Sequence, residues 1–212
     1  DVEEEEAEVL YTGMHHAREP MSFMNLYYFI YWILENYNID DRATQILNTR
    51  ELWFIPIVNP DGYEYNRSIA PNGGGMQRKN MRPTCNSSAD GVDLNRNYGY
   101  AWNCQGTYEG NCDMSGSSGD GCNETYRGSS AFSEPETQIV RDFVYQHDFK
   151  IALNYHAYGN YLIHPWGYNN TGLELPEEDN ETYQEIGEEA TLYNNYFLGT
   201  GYETVGYGVN GD

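Results

Sequence analysis

Apolar residues follow two different periods near the start of the chain. Ala7 to Thr12 is a short apolar stretch that ends at Gly13, which predicts a strand running into a turn. Pro20 to Asn36 carries apolar residues at steps of three and four, the period of an amphipathic helix, and a proline suits the first helical turn. The residues with this helical period are Phe23, Leu26, Ile30 and Ile33.

A second strand is predicted by the continuous apolar run Leu52 to Val58. Such a run is typical of a strand covered on both faces, although Pro56 inside it interrupts backbone pairing. The turn-forming sequence Asn-Pro-Asp-Gly at 59–62 ends the run. From Tyr63 to Arg127 the chain is rich in Gly, Asn and Ser and shows little periodicity, which predicts a long irregular and functional stretch.

Helices and strands alternate again in the second half of the chain. Ser133 to Glu136 is a capping box that predicts a helix to about His147. Phe149 to Tyr155 predicts a strand, and Glu177 to about Tyr196 an acidic helix. Because strands alternate with helices and no linker or repeat divides the chain, we expect one α/β domain over residues 1–212. Its central sheet is expected to be mixed, mostly parallel, and covered by helices on both faces.

Composition excludes several classes of partner. The 212 residues include 33 Asp and Glu against 11 Lys and Arg, a formal net charge of −22. Phosphate backbones and anionic membranes are bound by basic groups, so neither a nucleic acid nor a membrane is an expected partner. No apolar stretch is long enough to span a bilayer. The 15% aromatic content, with 21 Tyr, excludes an acidic disordered chain.

Four cysteines lie within the irregular stretch, at positions 85, 104, 112 and 122. Three pairings are open in principle, and a zinc site is the competing interpretation. Their spacings lack the close Cys-x-x-Cys pairs of a structural zinc site, so two disulfides and an oxidising, extracellular compartment are favoured. Five Asn-x-Ser/Thr sequences fit that compartment only weakly.

The strongest local chemical signal lies between the first strand and the first helix. His16 and Glu19 are three residues apart, so one turn would direct both side chains to the same side. His156 follows a predicted strand, and ligands of open α/β sheets gather at the carboxyl ends of strands. Two His and one carboxylate form a catalytic zinc arrangement. Taken alone, each of these residues is more often an ordinary packed or solvated side chain.

Together with these residues, a set of short segments resembles the zinc carboxypeptidases of the carboxypeptidase A family. The segments occur in the family's order, and the resemblance covers the chain from about residue 8 to residue 212. They are Gly13–Glu19, Ile57–Tyr63, Arg78–Asn80, Gly91–Asn97, Tyr126–Gly128, Ser133–Glu136, Asn154–Tyr158 and Pro165–Tyr168.

The resemblance implies a role for each matching residue. It implies one zinc ion per chain, bound by His16, Glu19 and His156, with Asp93 orienting His16. Arg78 would stabilise the oxyanion of the substrate. The remaining substrate contacts it implies are Asn95 and Arg96, which would hold a terminal carboxylate, together with Arg18, Tyr158 and Tyr207.

Further expectations follow from the same resemblance. It implies that Cys85 pairs with Cys122, which leaves Cys104 with Cys112 to close a small insertion that the family pattern lacks. Tyr207 would lie on a mobile loop that closes over substrate. The peptide bonds before Tyr158 and Trp166 are often cis in the family. Asp212 would favour basic substrate side chains if it lines the specificity pocket.

The implied function is hydrolysis of the C-terminal peptide bond of peptides and proteins by a secreted, monomeric enzyme. The family's general-base Glu follows the tyrosine loop, and its catalytic domain opens with elements ahead of the His16 region. We therefore expect residues 1–212 to be a partial, incomplete domain with little activity by itself. The alternatives are a zinc amidohydrolase that removes an acyl group from an amino acid, and a carboxypeptidase-like domain that binds without catalysis.

Overall fold

A computed structural model describes residues 6–87, 90–104, 112–169 and 175–211. Within these ranges, strands and helices alternate for much of the chain, as the sequence predicts. In chain order the elements are β1 (Ala7–Gly13), α1 (Pro20–Glu35), α2 (Asp41–Thr49), β2 (Arg50–Ile55), α3 (Pro60–Ile69), a short 3₁₀ helix (Leu94–Arg96), α4 (Pro135–Val144), β3 (Phe149–Tyr155), β4 (Tyr161–His164), α5 (Glu177–Thr191), β5 (Phe197–Thr200) and α6 (Gly201–Val205).

The chain forms two compact units. The first unit comprises residues 1–81 and 135–157, and the second comprises residues 82–134 and 158–212. The first unit contains β1 to β3 and α1 to α4, and the second contains the remaining elements. That the whole chain is one domain stays a prediction.

The first unit is built on a parallel three-stranded sheet in the order β2-β1-β3. Aromatic side chains show that helices cover both faces of this sheet. Tyr11 stacks on its register partner Phe54 with ring centroids 4.9 Å apart, and Phe29 of α1 packs against both rings. Successive strand residues face opposite sides, so the adjacent Trp53 meets Phe143 of α4 on the other face.

The second unit contains a two-stranded parallel sheet of β4 and β5, connected through α5. Gly187 of α5 lies so close to Leu198 of β5 that a Cβ at this glycine would be 2.5 Å from a Leu198 methyl carbon. Helix α6 begins with a capping box in which Thr200 and Glu203 bond to each other's backbone N–H groups. These bonds lower the pKa of Glu203 below its ordinary value.

Two disulfides lie in the second unit. They join Cys85 to Cys122 and Cys104 to Cys112, which are the pairs expected. Next to the first disulfide, one Asp90 carboxylate oxygen accepts hydrogen bonds from the backbone N–H groups of residues 84, 85 and 86. These bonds hold the pKa of Asp90 below its usual value. The bridge and the carboxylate together fix a turn that has no regular secondary structure.

Several element boundaries differ from the sequence predictions. Strand β2 covers Arg50–Ile55 instead of Leu52 to Val58, because Pro56 has no N–H to continue the ladder. Helix α1 ends at Glu35, α4 at Val144 and α5 at Thr191, each earlier than predicted.

Helices α2, α3 and α6, the short 3₁₀ helix and strands β4 and β5 were not predicted from the sequence. Helix α2 follows Asp40, whose side chain accepts from the N–H groups of Arg42 and Ala43. Helix α3 begins within the sequence that was interpreted as a turn and extends into the stretch predicted to be irregular. None of the helices in the described ranges combines the length and apolar character needed to cross a membrane.

Two leucines of α1 provide a matched test of this packing. Leu26 is fully buried against Gly13 of β1, whereas Leu34 is 62% exposed. We expect Leu26→Ala to lower the free energy of unfolding by about 2–5 kcal/mol, because it removes buried methyl groups and leaves a cavity. Leu34→Ala should change it by less than about 0.5 kcal/mol. Urea denaturation followed by circular dichroism measures both, and equal losses would contradict the packing described for α1.

Candidate metal centre

The turn that carries His16 and Glu19 is shaped by hydrogen bonds between β1 and α1. The backbone N–H of Glu19 donates to the His16 carbonyl at 3.1 Å, which closes the turn and brings the two side chains to the same side. Ser22, in the first turn of α1, donates its hydroxyl to the Glu19 carbonyl at 2.7 Å and accepts from the N–H of Met14 at 3.0 Å. Pro20 then begins α1 directly after Glu19.

His156 comes from the neighbouring strand. In the parallel pairing of β1 with β3, Gly13 lies opposite Tyr155, so both strands end at the same level. The chain leaving β1 reaches His16 after three residues, and the chain leaving β3 reaches His156 after one. The expected convergence of residues at the carboxyl ends of strands is therefore present within the first unit.

The ligand atoms of these three residues face one another. Glu19 Oε1 lies 2.8 Å from His16 Nδ1, and Glu19 Oε2 lies 2.9 Å from His156 Nδ1. The two Nδ1 atoms are 3.1 Å apart, and the N–H of Ala157 donates to Glu19 Oε2 at 3.1 Å. The side chains of His16 and Glu19 are 5% and 10% exposed, and that of His156 is 31% exposed. One side of the cluster is therefore open and the other is closed.

This geometry fits a divalent metal ion. All three ligand atoms lie within 4.8 Å of one another, and no other group of three His, Cys, Asp or Glu side chains in the described ranges meets that condition. Zinc bonds to nitrogen and oxygen of 2.0–2.2 Å place tetrahedral ligand atoms about 3.3 Å apart. The observed separations are a few tenths of an ångström shorter, so small side-chain rotations would admit the ion.

Electrostatics also favours the metal-binding protonation states. Burial by itself raises the pKa of Glu19, but hydrogen bonds and charges from His156 and His16 together hold it well below its ordinary value. Desolvation lowers the pKa of His156, and the hydrogen bond to Glu19 opposes only part of this effect. The cluster at neutral pH therefore contains an ionised carboxylate and a neutral His156, which are the forms that bind metals.

Arg78 lies at the edge of the same cluster. Its Nη1 is 4.0 Å from Glu19 Oε1, and its side chain is only 13% exposed. The Arg78 carbonyl accepts from the N–H of Ala17 at 3.0 Å, so the backbone of this segment is joined to the turn between His16 and Glu19. A guanidinium at this distance lies beside the three candidate metal ligands. The Arg18 side chain is half-buried, and its contact with substrate stays a prediction.

The second unit contains the other expected residues. Asp93 is fully buried and accepts from the N–H of Asn95 at 3.1 Å at the start of the 3₁₀ helix. Arg96 is 3% exposed and donates from Nε to the Gly116 carbonyl at 2.7 Å and from Nη1 to the Asn95 carbonyl at 2.6 Å. The pairing of Asp93 with His16 stays a prediction.

The two tyrosines expected to contact substrate are more exposed than Asp93 and Arg96. Tyr158 is fully exposed and Tyr207 is 39% exposed. Residues after Tyr207 are held by the N–H of Gly208, which donates to Asp113 at 3.0 Å, and by that of Val209, which donates to the Gly167 carbonyl at 2.6 Å. The peptide bond before Trp166 is cis, as expected, and the one before Tyr158 is trans. Asp212 lies outside the described residues.

Sequence reasoning missed one residue whose hydrogen bonds join segments next to the candidate metal centre. Asn59 is fully buried, caps α3, and donates to the backbone carbonyls of His15 and Arg78. Asn followed by Pro at the first helical position is a helix-start pattern, and that signal was available in the sequence. The apolar run before it favours a strand ending in a turn, and this pattern competes with the helix start.

Comparison with known proteins identifies the family. The zinc carboxypeptidase family matches residues 1–211, and this chain belongs to it. The α/β architecture of the described elements agrees with this assignment and with the fold class predicted from the sequence.

The individual relatives are longer than this chain. Metallocarboxypeptidase A of Trichophyton tonsurans is 30% identical over 167 residues, 77% of this chain and 36% of the relative. Inactive metallocarboxypeptidase ecm14 of Talaromyces marneffei is 29% identical over 79% of this chain and 27% of its own length. The crystal structure of thrombin activatable fibrinolysis inhibitor matches 100% of this chain and 50% of that chain, with a TM-score of 0.81 and 26% identity. The chain thus spans half the length of these proteins or less.

The lowered pKa of Glu19 predicts how stability depends on pH in the metal-free chain. An acid whose pKa is lowered by folding stabilises the folded state above its ordinary pKa of 4.5, and this contribution is lost as the pH falls towards the lower folded value. Glu19→Gln removes the ionisation. Near neutral pH, the free energy of unfolding of this variant should be about 1–3 kcal/mol lower than that of the wild-type chain. This difference should shrink below pH 4.5.

Urea denaturation at several pH values measures this difference. Glu51→Gln, at an exposed position of β2, is the matched control and should change stability by less than about 0.5 kcal/mol throughout. A Glu19→Gln deficit that stays constant or grows in acid would show that the folded state does not favour the ionised carboxylate.

Proposed function

We propose that the protein containing this chain is a zinc-dependent metallocarboxypeptidase that hydrolyses the C-terminal peptide bond of peptides and proteins. The observation that carries the proposal is the convergence of His16, Glu19 and His156 with Arg78 at the edge of the cluster. Membership of the zinc carboxypeptidase family supports it. The proposal concerns the protein of which these residues are part, because this chain spans half or less of the length of the relatives compared above.

His16 and His156 would bind one zinc ion through Nδ1, and Glu19 would bind it through its carboxylate. When bound in such a site, zinc polarises a carbonyl group and lowers the pKa of water to about 7. The ionised Glu19 offsets half of the charge of the ion. Because Nδ1 must be unprotonated to bind a metal, loading should release any proton held between the two rings.

Arg78 would stabilise the negative charge that develops on the carbonyl oxygen of the scissile bond. Its side chain is largely shielded from water, so its charge is screened less than that of an exposed arginine. Its backbone link to Ala17 keeps it next to the metal ligands. No described carboxylate is proposed as the general base.

Asn95 and Arg96 would bind the terminal carboxylate of the substrate. The bonds of Arg96 to carbonyl oxygens orient its guanidinium and leave its full positive charge, and a planar guanidinium suits a carboxylate. Arg18, Tyr158 and Tyr207 are proposed as further substrate contacts, and Asp93 as the residue that orients His16. The preference for basic substrate side chains through Asp212 also stays a proposal.

Secretion is the proposed localisation. It is supported by the two disulfides of the second unit, since such bonds persist in oxidising compartments. Peptide and protein C-termini are the proposed partners. The monomeric state stays a prediction.

Zinc binding can be tested in this chain directly. We expect the metal-free chain to bind one zinc ion, and His16→Ala, Glu19→Ala and His156→Ala each to weaken binding by more than about 100-fold. Residues that only orient a metal ligand change affinity 10–100-fold, so removal of a ligand should do more. His164→Ala is the matched control, because His164 is also a buried histidine but lies in the second unit.

Competition titration with a chromophoric chelator measures these affinities. A wild-type chain that binds no zinc, or a His164→Ala variant as weak as His16→Ala, would refute the assignment of the three ligands.

Activity is tested in the longer protein that contains this chain. Arg78→Ala is expected to lower kcat by about 100- to 1,000-fold, the typical effect of removing an oxyanion donor. The control is Arg67→Ala, since Arg67 is 63% exposed and paired with Glu64 on the surface of α3. The control should retain kcat within about twofold.

The substrates in this assay separate the alternative functions. Mass spectrometry should show removal of one C-terminal residue from a free peptide and none from its amidated form. Release of an acyl group from N-acyl amino acids without cleavage of longer peptides would favour the amidohydrolase. No turnover in a zinc-loaded protein would favour a binding domain, as the similarity to a relative named inactive allows.

A further inference from the structure

Asn59 lies in the first unit where β2, α3 and the turn from His15 to Glu19 meet, a turn named here the metal-binding turn after its candidate ligands. Its side chain is fully buried. Its backbone N–H donates to the Met14 carbonyl at 3.0 Å, one residue after Val58 donates to the Gly13 carbonyl at 3.0 Å. The segment that follows β2 is therefore bonded to the segment that follows β1, immediately before the metal-binding turn.

The oxygen and the nitrogen of the Asn59 side-chain amide bond to different segments. Its Oδ1 accepts from the N–H of Gly62 at 3.1 Å and so caps α3. Its Nδ2 donates to the carbonyl of His15 at 3.2 Å and, at a longer distance of 3.4 Å, to the carbonyl of Arg78. One side chain thus joins the helix start, the residue before His16 and the residue expected to bind the oxyanion.

The first turn of α3 packs closely against its neighbours at Gly62. A Cβ at Gly62 would lie 2.6 Å from Asn59 Oδ1, 2.8 Å from the Ala17 Cβ and 2.8 Å from the Lys79 carbonyl oxygen. The first turn of α3 is consequently in contact with both the metal-binding turn and the Arg78 segment. Because the N–H of Ala17 also donates to the Arg78 carbonyl, these three segments form a closed set of contacts.

Other small capping residues, such as Ser and Asp, have no side-chain amide to replace the N–H donor of Asn59. Two carbonyl oxygens face Nδ2. Without it the His15 carbonyl loses this donor and the Arg78 carbonyl keeps the N–H of Ala17, and two carbonyl dipoles with no shared donor between them repel each other. The expected response is separation of the His15 and Arg78 segments. Such a movement would displace His16 and Arg78 without touching either side chain.

We propose that Asn59 is a positioning residue that fixes His16 and Arg78 relative to each other through their backbones, and so sets the metal affinity of the site. The part of this proposal that concerns the metal rests on the proposed function. The placement of the backbone does not depend on it.

Two variants separate this role from helix capping. Asn59→Ser and Asn59→Asp both keep an oxygen that can cap α3, and Ser and Asp are as favourable as Asn at that position. Neither retains an amide that donates to the two carbonyls. Asp40→Ala is the matched control, because it removes a cap from α2 without contact to the metal-binding turn.

Hydrogen exchange measures the placement in the metal-free chain. In both Asn59 variants, we expect the amides of residues 14–19 and 76–80 to exchange at least about tenfold faster, with Ala17 as the reporter of the contact to Arg78. Asp40→Ala should leave these amides within about twofold of wild type. Zinc affinity should fall about 10–100-fold in the Asn59 variants, the range for residues that orient a ligand, and stay unchanged in the control.

The outcomes are distinguishable. Wild-type exchange and zinc affinity in both variants would reduce Asn59 to a helix cap and overturn the proposal. Weaker zinc binding without faster exchange would also overturn it, because the effect would not act through placement. If the Asn59 variants exchange faster but the wild-type chain binds no zinc, the result would support the role of Asn59 in placing the backbone. It would contradict the proposed function instead.

A further measurement covers the case in which both variants fail to fold. In the wild-type chain, the side-chain amide protons of Asn59 should exchange at least about tenfold more slowly than those of the exposed Asn180, measured by NMR. Equal rates would mean that Nδ2 is not held by the two carbonyls, and would overturn the proposal.

Discussion

The parallel register of β1 with β3 is the constraint on which the proposed metal centre depends. Gly13 lies opposite Tyr155, so the two strands end together and deliver His16 and His156 to one place. A shift of one residue would turn the side chains of β3 to the other face of the sheet. Thr12 and Asn154, which are register partners, also bond to each other through their side chains at 2.9 Å just before the strands end. The sheet therefore fixes two of the three proposed ligands before any metal is bound.

Glu19 is the second element on which the site depends. A buried carboxylate is unfavourable unless it is paired and hydrogen-bonded, and Glu19 meets this condition through both imidazole rings and the N–H of Ala157. The chain as a whole carries a net charge of −22, yet the cluster collects Arg78 and two histidines around a single acid. The net acidic composition of the chain and the surroundings of Glu19, which are one guanidinium and two imidazole rings, are thus separate features, and only the second bears on the proposed chemistry.

The parts of this arrangement that could be predicted from the sequence are those with a strong local pattern. The strand before Gly13, the helix after Glu19 and the strand before His156 were all predicted, and the His-x-x-Glu spacing indicated a shared side. Helix α3 and Asn59 were not predicted, because an Asn-Pro-Asp-Gly sequence after an apolar run fits a turn as well as a helix start. The hydrogen bonds of Asn59 to His15 and Arg78 span 44 and 19 residues, and no local pattern encodes contacts at such separations. Pro56 was recognised as an interruption, but only the register of β2 shows where the ladder stops.

The central claim is that His16, Glu19 and His156 together form one zinc site. A crystal of the zinc-loaded chain, with anomalous diffraction recorded on both sides of the zinc absorption edge, tests this claim most directly. The account predicts one strong anomalous peak about 2.0–2.2 Å from Nδ1 of each of the two histidines and from the carboxylate of Glu19. A peak located elsewhere, or none among these three side chains at saturating zinc, would contradict it.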